Sequence, residues 1–363
     1  MAMTNRARGL LLTLLTVAAG PRDLSARGAA LTRYEYAEPH MGTRFRIVFY
    51  APDKTAADQA ARAAFERIEA LNHIMSDYLS TSELERLSRA SGGGPVKVSE
   101  DLFRVLAAAQ EIARRSSGAF DITVGPVVLL WRRARRQHEL PDHESLAKAL
   151  EKVGYLNLVL DPNARTARLL KPGMQLDLGA VGKGYADDEA LKVLARFGIR
   201  RALVAGGGDI AVADPPPGRK WWRIAIEPLD SSTNAAARFV LLRRAAISTS
   251  GDSEQHAEIA GVRYSHVVDP RTGLALTGRR SVTVVARRGT LSDGLATAAS
   301  VLGPEKGLKL IKNTPGAGVF YAEERSSGVS TYEYRFPPFV LVQPSGPIGL
   351  RTTSRKRSAA RTP

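Results

Sequence analysis

The 363-residue chain is predicted to be an α+β protein with mixed or antiparallel sheets and flanking helices. Short β-like runs cluster in its middle, and their order with the helices is not a regular strand–helix alternation. Amphipathic stripes of helical period, several with capping signals, lie before, between and after those runs. Hydrophobic residues make up 44% of the chain and charged residues 24%, which supports a sizeable core in one large domain or two ordinary ones.

Taken in order, "MAMTNRARGLLLTLLTVAAG" places Arg6 and Arg8 before an apolar run from Gly9 to Ala19. That is the layout of a secretory leader, expected to occupy residues 1–30, and the run is shorter than the ~20 residues a bilayer span needs. "RFRIVFY" (44–50) reads as the first strand. The segment 54–75 has a stripe of Ala61, Ala64, Phe65, Ile68, Leu71 and Ile74, and the segment 99–118 begins at a Ser99 N-cap and ends at Gly118. β-like runs follow at 156–160, 166–170, 201–205, 221–226, 238–242, 245–249 and 281–286, with helices expected at 182–197, 292–302 and 305–312. Pro, Gly and Ser content marks 214–220 and 249–261 as loops. The domain is expected to span 31–340, and residues 341–363 to form a basic, disordered tail.

The formal charge of +16 is concentrated in the leader, in "WRRARRQ" (131–137), read as a charged loop, and in the tail. No basic stripe with interleaved aromatics accompanies it, so nucleic acid is not the expected partner. The basicity suits anionic ligands or a membrane surface. The absence of cysteine excludes disulfides, thiolate nucleophiles, thiolate zinc sites and a Cys-linked lipid anchor.

Several stretches carry candidate chemistry. In "LSDGLATAAS" (291–300), Asp293 and Thr297 lie four apart and share a helix face. Either they cap and back-bond the helix, or they present oxygen ligands to a hard cation such as Mg²⁺. "LDLGAVGKGYADDEALKVL" (176–194) sets Asp177, glycines and Lys183 before a helix. It is a plain glycine turn or an anion cradle, and its glycine spacing is too short for a Walker loop. "AGGGDIAV" (205–212) nominally fits a dinucleotide fingerprint, but no helix can follow it, so it reads as a tight turn between strands. "YSHVVDPRTG" (264–273) offers His266, structural or a general base. "GAFDITVGP" (118–126) places Asp121 after a helix, and "HMGTRF" (40–45) places Met41 and Gly42 before the first strand.

Together with "MSDYLSTSELERLSR" (75–89), "AISTSGD" (246–252) and "SDGLATAASVLG" (292–303), these stretches resemble the ApbE family of FAD:protein FMN transferases, in family order from about residue 34 to 325. The resemblance implies a single ApbE-like, T-fold-related domain that cleaves FAD with Mg²⁺ (or Mn²⁺). FMN is joined by a phosphoester to a Thr or Ser of an exported partner, such as an electron-transfer or sodium-pump subunit, and AMP leaves. It implies FAD contacts at Met41, Tyr78, Ala119, Phe120, Asp121, Asp177, Lys183 and Val267. It also implies metal ligands at the Ala180 carbonyl, Asp293 and Thr297, with His266 as base. The expected location is the periplasm or the outer face of the cytoplasmic membrane, with the basic segments favouring anionic lipid. The rival readings are an FAD pyrophosphatase using the same site with water as acceptor, and a non-catalytic flavin-binding protein.

Overall fold

A computed structural model describes residues 30–342 apart from 228, 230–236 and 252–255. The expected leader except residue 30, and nearly all of the expected tail, lie outside the described residues.

Strands β1 (Thr32–His40) and β2 (Thr43–Ala51) form an antiparallel hairpin. Met41 and Gly42 are its turn, at φ 49° and 71°. Positive φ at both central residues is what a type I′ hairpin requires. The first strand is therefore β1 rather than 44–50. Its charged, mostly exposed edge sequence lacks the apolar alternation that reveals a half-buried strand. Helix α1 (Lys54–Met75) matches its predicted span; Asp53 caps it by accepting from the Ala56 amide, and the predicted stripe faces the core. After α2 (Glu83–Arg89) and β3 (Val96–Lys97), α3 (Glu100–Arg115) starts at Ser99, whose hydroxyl accepts from the Leu102 amide.

Helices α4 (Gly125–Gln137) and α5 (His143–Leu150) follow. The segment 131–137 is thus the second half of α4, not a loop. Trp131 and Ala134 are buried while arginines take the other faces, and that charge density hides the helical period. Residues 155–157, of which 156 and 157 are expected in a strand, form a single 3₁₀ turn before β4 (Leu158–Asp161) and β5 (Thr166–Leu169). Helix α6 (Gly182–Arg196) precedes β6 (Ala202–Gly206), β7 (Asp209–Val212), β8 (Trp222–Ile226), β9 (Ala237–Leu242) and β10 (Ala245–Gly251). Then come β11 (His256–Ile259), β12 (Val262–Val268), β13 (Ala275–Thr277) and β14 (Arg280–Ala286). Within the expected loop at 249–261, residues 249–251 and 256–259 are therefore strand. Helix α7 (Gly289–Lys312) breaks at Gly303, φ 77°, just before Pro304, which divides it into the two helices expected. Strands β15 (Gly318–Arg325), β16 (Gly328–Tyr334) and β17 (Val340–Val342) close the described chain. The pairing of β17 with β9 carries ordered backbone two residues into the segment expected to be tail.

The architecture is α+β, and the strand pairs are antiparallel. The main sheet runs β1-β2-β6-β7-β10-β14-β15-β16. Its strands alternate faces. Phe45, Ile47 and Phe49 of β2 meet the helices α1, α3, α6 and α7, while Val48 points to the opposite side with Leu203 of β6. That opposite side is covered by the small sheet β17-β9-β8 through Trp222, Ile224 and Val240. A third cluster docks the sheet β11-β12-β13 on α4 and α5. There the Trp131 indole donates to the Gly273 carbonyl at 2.7 Å and its ring lies 5.3 Å from that of Tyr264.

Candidate functional site

A cavity of about 1010 Å³ opens where these layers meet. Met41 enters from the β1–β2 turn, Tyr78 from the loop after α1, and Ala119, Phe120 and Asp121 from the loop after α3. Asp177, Ala180 and Lys183 come from the approach to α6, His266 and Val267 from β12, and Asp293 and Thr297 from α7. The structure therefore brings every sequence-predicted site residue to one cavity.

The inner end is built by two helix starts pressed together. A Cβ on Gly184 would sit 2.2 Å from the Gly289 carbonyl oxygen, so only glycine allows α6 and α7 to approach so closely. The α7 start also differs from the sequence expectation. The helix begins at Gly289, and Asp293 does not cap it. The cap is Asp188 of α6, which accepts from the Gly289 amide at 2.8 Å and from the Thr290 amide at 3.1 Å and hydroxyl at 2.8 Å. Cross-helix capping leaves no signal in a local sequence window. It frees Asp293, which lies in the second turn, 6% exposed, and accepts from the Gly184 amide at 3.2 Å.

Electrostatically this end is starved of positive charge. Burial, then the neighbouring Asp209, push the Asp293 carboxyl up to about 7, against the pull of Lys183 and the Gly184 amide. Asp187, fully buried one turn along α6 from Lys183, has both carboxylate oxygens without a hydrogen-bond partner. Burial first, then Asp209, Asp188 and Asp293, raise its pKa well above the carboxylate range. Lys183 ion-pairs with Asp209 at 3.5 Å and donates to the Gly179 carbonyl at 2.8 Å. Burial opposes its charge, but Asp293 and Asp209 outweigh that and hold it above the usual lysine range. Asp293 and Thr297, on one helix face, and Ala180 line the same cavity, and their oxygens are of the type that a hard, oxygen-loving cation takes.

The outer part is arranged differently. Ala119 and Phe120 are buried, and Asp121 accepts from the Thr123 amide at 2.8 Å and hydroxyl at 2.7 Å, which partly offsets the upward effect of its burial. Val128, Arg132 and Arg135 make one stripe of α4 along the cavity. Arg132 pairs with Asp77 at 2.5 Å and with Asp177 at 2.8 Å, and its guanidinium lies 4.4 Å from the Tyr78 ring centre. His266 is half-buried on β12.

Sequence reading did not single out Asp209, Asp187, Asp188, Asp77 or Arg132. Asp209 had a readable signal. It ends the glycine turn between β6 and β7, where Gly207 takes φ 66° and Gly206 lies against the Phe45 ring. The other four depend on which helices and loops meet, and no local pattern records that.

The sequence model of the ApbE family matches residues 41–321. FAD:protein FMN transferases of Klebsiella pneumoniae and Treponema pallidum are each 32% identical to this chain. They cover 80% and 81% of it, and 85% of their own lengths. Among solved structures, the flavin transferase ApbE of Vibrio cholerae superimposes with a TM-score of 0.77 at 30% identity, covering 84% of this chain and 98% of its own. An ApbE protein from Thermotoga maritima gives 0.75 at 29%, covering 84% and 97%. Fold, cavity and sequence agree, and the chain belongs to the ApbE family.

Proposed function

We infer that this protein is an FAD:protein FMN transferase, which splits FAD and joins FMN through a phosphoester to a Thr or Ser hydroxyl of a partner protein, releasing AMP. The observation that carries the reading is the cavity itself. It has the volume for a dinucleotide and gathers a lysine, buried carboxylates and a hydroxyl at its inner end. Asp293, Thr297 and the Ala180 carbonyl would hold Mg²⁺ or Mn²⁺. When bound, the ion would neutralise pyrophosphate charge and act as a Lewis acid. Lys183 contributes fixed positive charge beside the same position, where developing negative charge needs it. Met41, Tyr78, Phe120, Asp121, Asp177 and Val267 would seat the nucleotide, with the buried Ala119–Phe120 pair as an apolar wall. His266 lines the same cavity and would take the proton of the incoming hydroxyl, directly or through one water.

The acceptor is expected to be an exported electron-transfer or sodium-pump subunit, met in the periplasm or at the outer face of the cytoplasmic membrane. This rests on the leader-like residues 1–30 and on family resemblance. The basic leader and tail would add weak, salt-sensitive attraction to anionic lipid.

The test is incubation of the full chain with FAD, Mg²⁺ and a candidate acceptor domain, followed by intact-mass analysis of the acceptor and assay of AMP. A flavin adduct with AMP release supports the reading. FMN and AMP without an adduct would make the protein a pyrophosphatase, and retained flavin colour without AMP would make it a binding protein.

A further inference from the structure

Within the cavity, α4 contributes an arginine that no part of the reaction above requires. The guanidinium of Arg132 bridges Asp77, from the loop after α1, to Asp177, from the approach to α6. All three side chains are largely buried, at 14%, 16% and 12% exposure. The same guanidinium lies over the Tyr78 ring, and Tyr78 is 76% exposed at the cavity rim. Asp177 is also tied to its own loop, because its other oxygen accepts from the Gly179 amide at 2.7 Å.

We propose that Arg132 is a positioning residue that holds the rim and the approach to α6 in the spacing a flavin nucleotide needs, and so sets affinity for FAD rather than the rate of transfer. The proposal rests on the flavin reading above. Its physical basis is the geometry of one planar, five-donor group that serves two carboxylates and stacks on a ring at once, which lysine's point charge cannot do. Without the guanidinium, Asp77 and Asp177 would face each other in a poorly solvated wall. Burial and Asp177 already push the Asp77 carboxyl up to about 6 despite the arginine. Repulsion between the two would part the loop after α1 from the approach to α6 and release the Tyr78 ring. The chemical groups at the inner end would stay where the α6–α7 junction puts them.

The experiment uses the full chain and compares Arg132→Gln, Arg132→Lys and the double variant Arg132→Gln/Asp77→Asn. Dissociation constants for FAD come from flavin fluorescence, KM and kcat from acceptor labelling, and Tm from thermal denaturation. Arg132→Gln should raise Kd and KM for FAD by about tenfold, the worth of one charge-assisted pair, while kcat changes by less than about threefold. Arg132→Lys should fall between it and wild type, and removing the second charge in the double variant should recover part of the lost affinity. Unchanged Kd in Arg132→Gln overturns the proposal, as does a parallel fall of kcat and Tm in both single variants, which would make the arginine merely structural. If Arg132→Gln does not fold, Arg132→Lys decides, since wild-type affinity there also overturns it. Wild-type protein that fails to bind FAD overturns the flavin reading and this inference with it.

Discussion

Helix α6 carries two charged clusters on opposite faces, and they obey different rules. On the face toward α7, Lys183 and Asp187 sit one turn apart among Asp209 and Asp293, with carboxylates in excess and two oxygens of Asp187 unpartnered. On the other face, Tyr185 and Glu189, also one turn apart, meet α1 and α3. There Arg67 bonds Asp101 (2.8 Å for one of two contacts) and Glu189 at 2.7 Å, Lys192 bonds Glu189 at 2.5 Å, and the Tyr185 hydroxyl donates to Asp101 at 2.8 Å. Two cations meet two carboxylates, and the donors and acceptors are matched. A fold gains from the second arrangement and is burdened by the first. On the reading proposed above, the first arrangement is kept because a bound cation and nucleotide would complete it.

The comparison is sharpest at Asp293. Asp293→Ala should lower flavin transfer by about 10²–10³-fold, the scale lost when a group that stabilises developing charge is removed. Its Tm should stay level or rise, because an undersatisfied buried carboxylate has gone. Thermal denaturation alongside a transfer assay checks both. A large loss of Tm would show that the carboxylate is part of the framework and would erase the distinction between the two faces.

Arg67→Ala should do the reverse. It leaves Asp101 and Glu189 in a partly buried site with one cation fewer, at 18% and 6% side-chain exposure. Unpairing buried charges costs about 3–5 kcal/mol, although some exposure places this site toward the lower figure. Chemical denaturation should show that loss, while kcat of the remaining folded protein stays within a few-fold of wild type.

The two faces also differ in how readable they were. The helices at 54–75, 100–115 and 182–196 are evident from stripes and caps, because each buries one apolar face in a single core. The cavity residues are evident because glycines, a lysine and hydroxyls stand where local geometry demands them. The paired face is invisible in sequence, since Arg67, Asp101 and Glu189 lie on three separate helices and look like ordinary surface charge. The Asp188 cap and the Arg132 bridge are hidden for the same reason. Charge density concealed α4, because a helix is recognised by its apolar stripe and beyond Val127 this one continues only through Trp131 and Ala134, between arginines.

Asp188→Ala tests the junction that joins the two faces to the site. Loss of a cap costs about 1–2 kcal/mol. Because the cap fixes the start of α7, transfer should fall too, by about tenfold, through displacement of Asp293 and Thr297. Asp188→Asn, which keeps an acceptor oxygen, should restore most of the stability. Full activity in Asp188→Ala would show that the close Gly184–Gly289 approach alone sets the helix.

The smallest effect concerns pH and belongs to the paired face alone. Burial would raise the Asp101 pKa, but the Arg67 guanidinium and the Tyr185 hydroxyl overcome it and leave the carboxyl below its usual value. A carboxyl whose folded pKa is depressed binds protons less readily than in the unfolded chain. Its contribution is therefore complete above the unfolded value, near 4, and is lost as pH falls through the folded value. Wild-type stability should fall as pH drops below about 4, and Asp101→Asn, which removes the titrating group, should flatten that part of the curve by about 1 kcal/mol. Denaturant midpoints measured between pH 7 and pH 3 would show it. An unchanged slope would mean that the Arg67 network does not distinguish the two protonation states, and that the matched face owes its stability to packing of the long side chains rather than to charge.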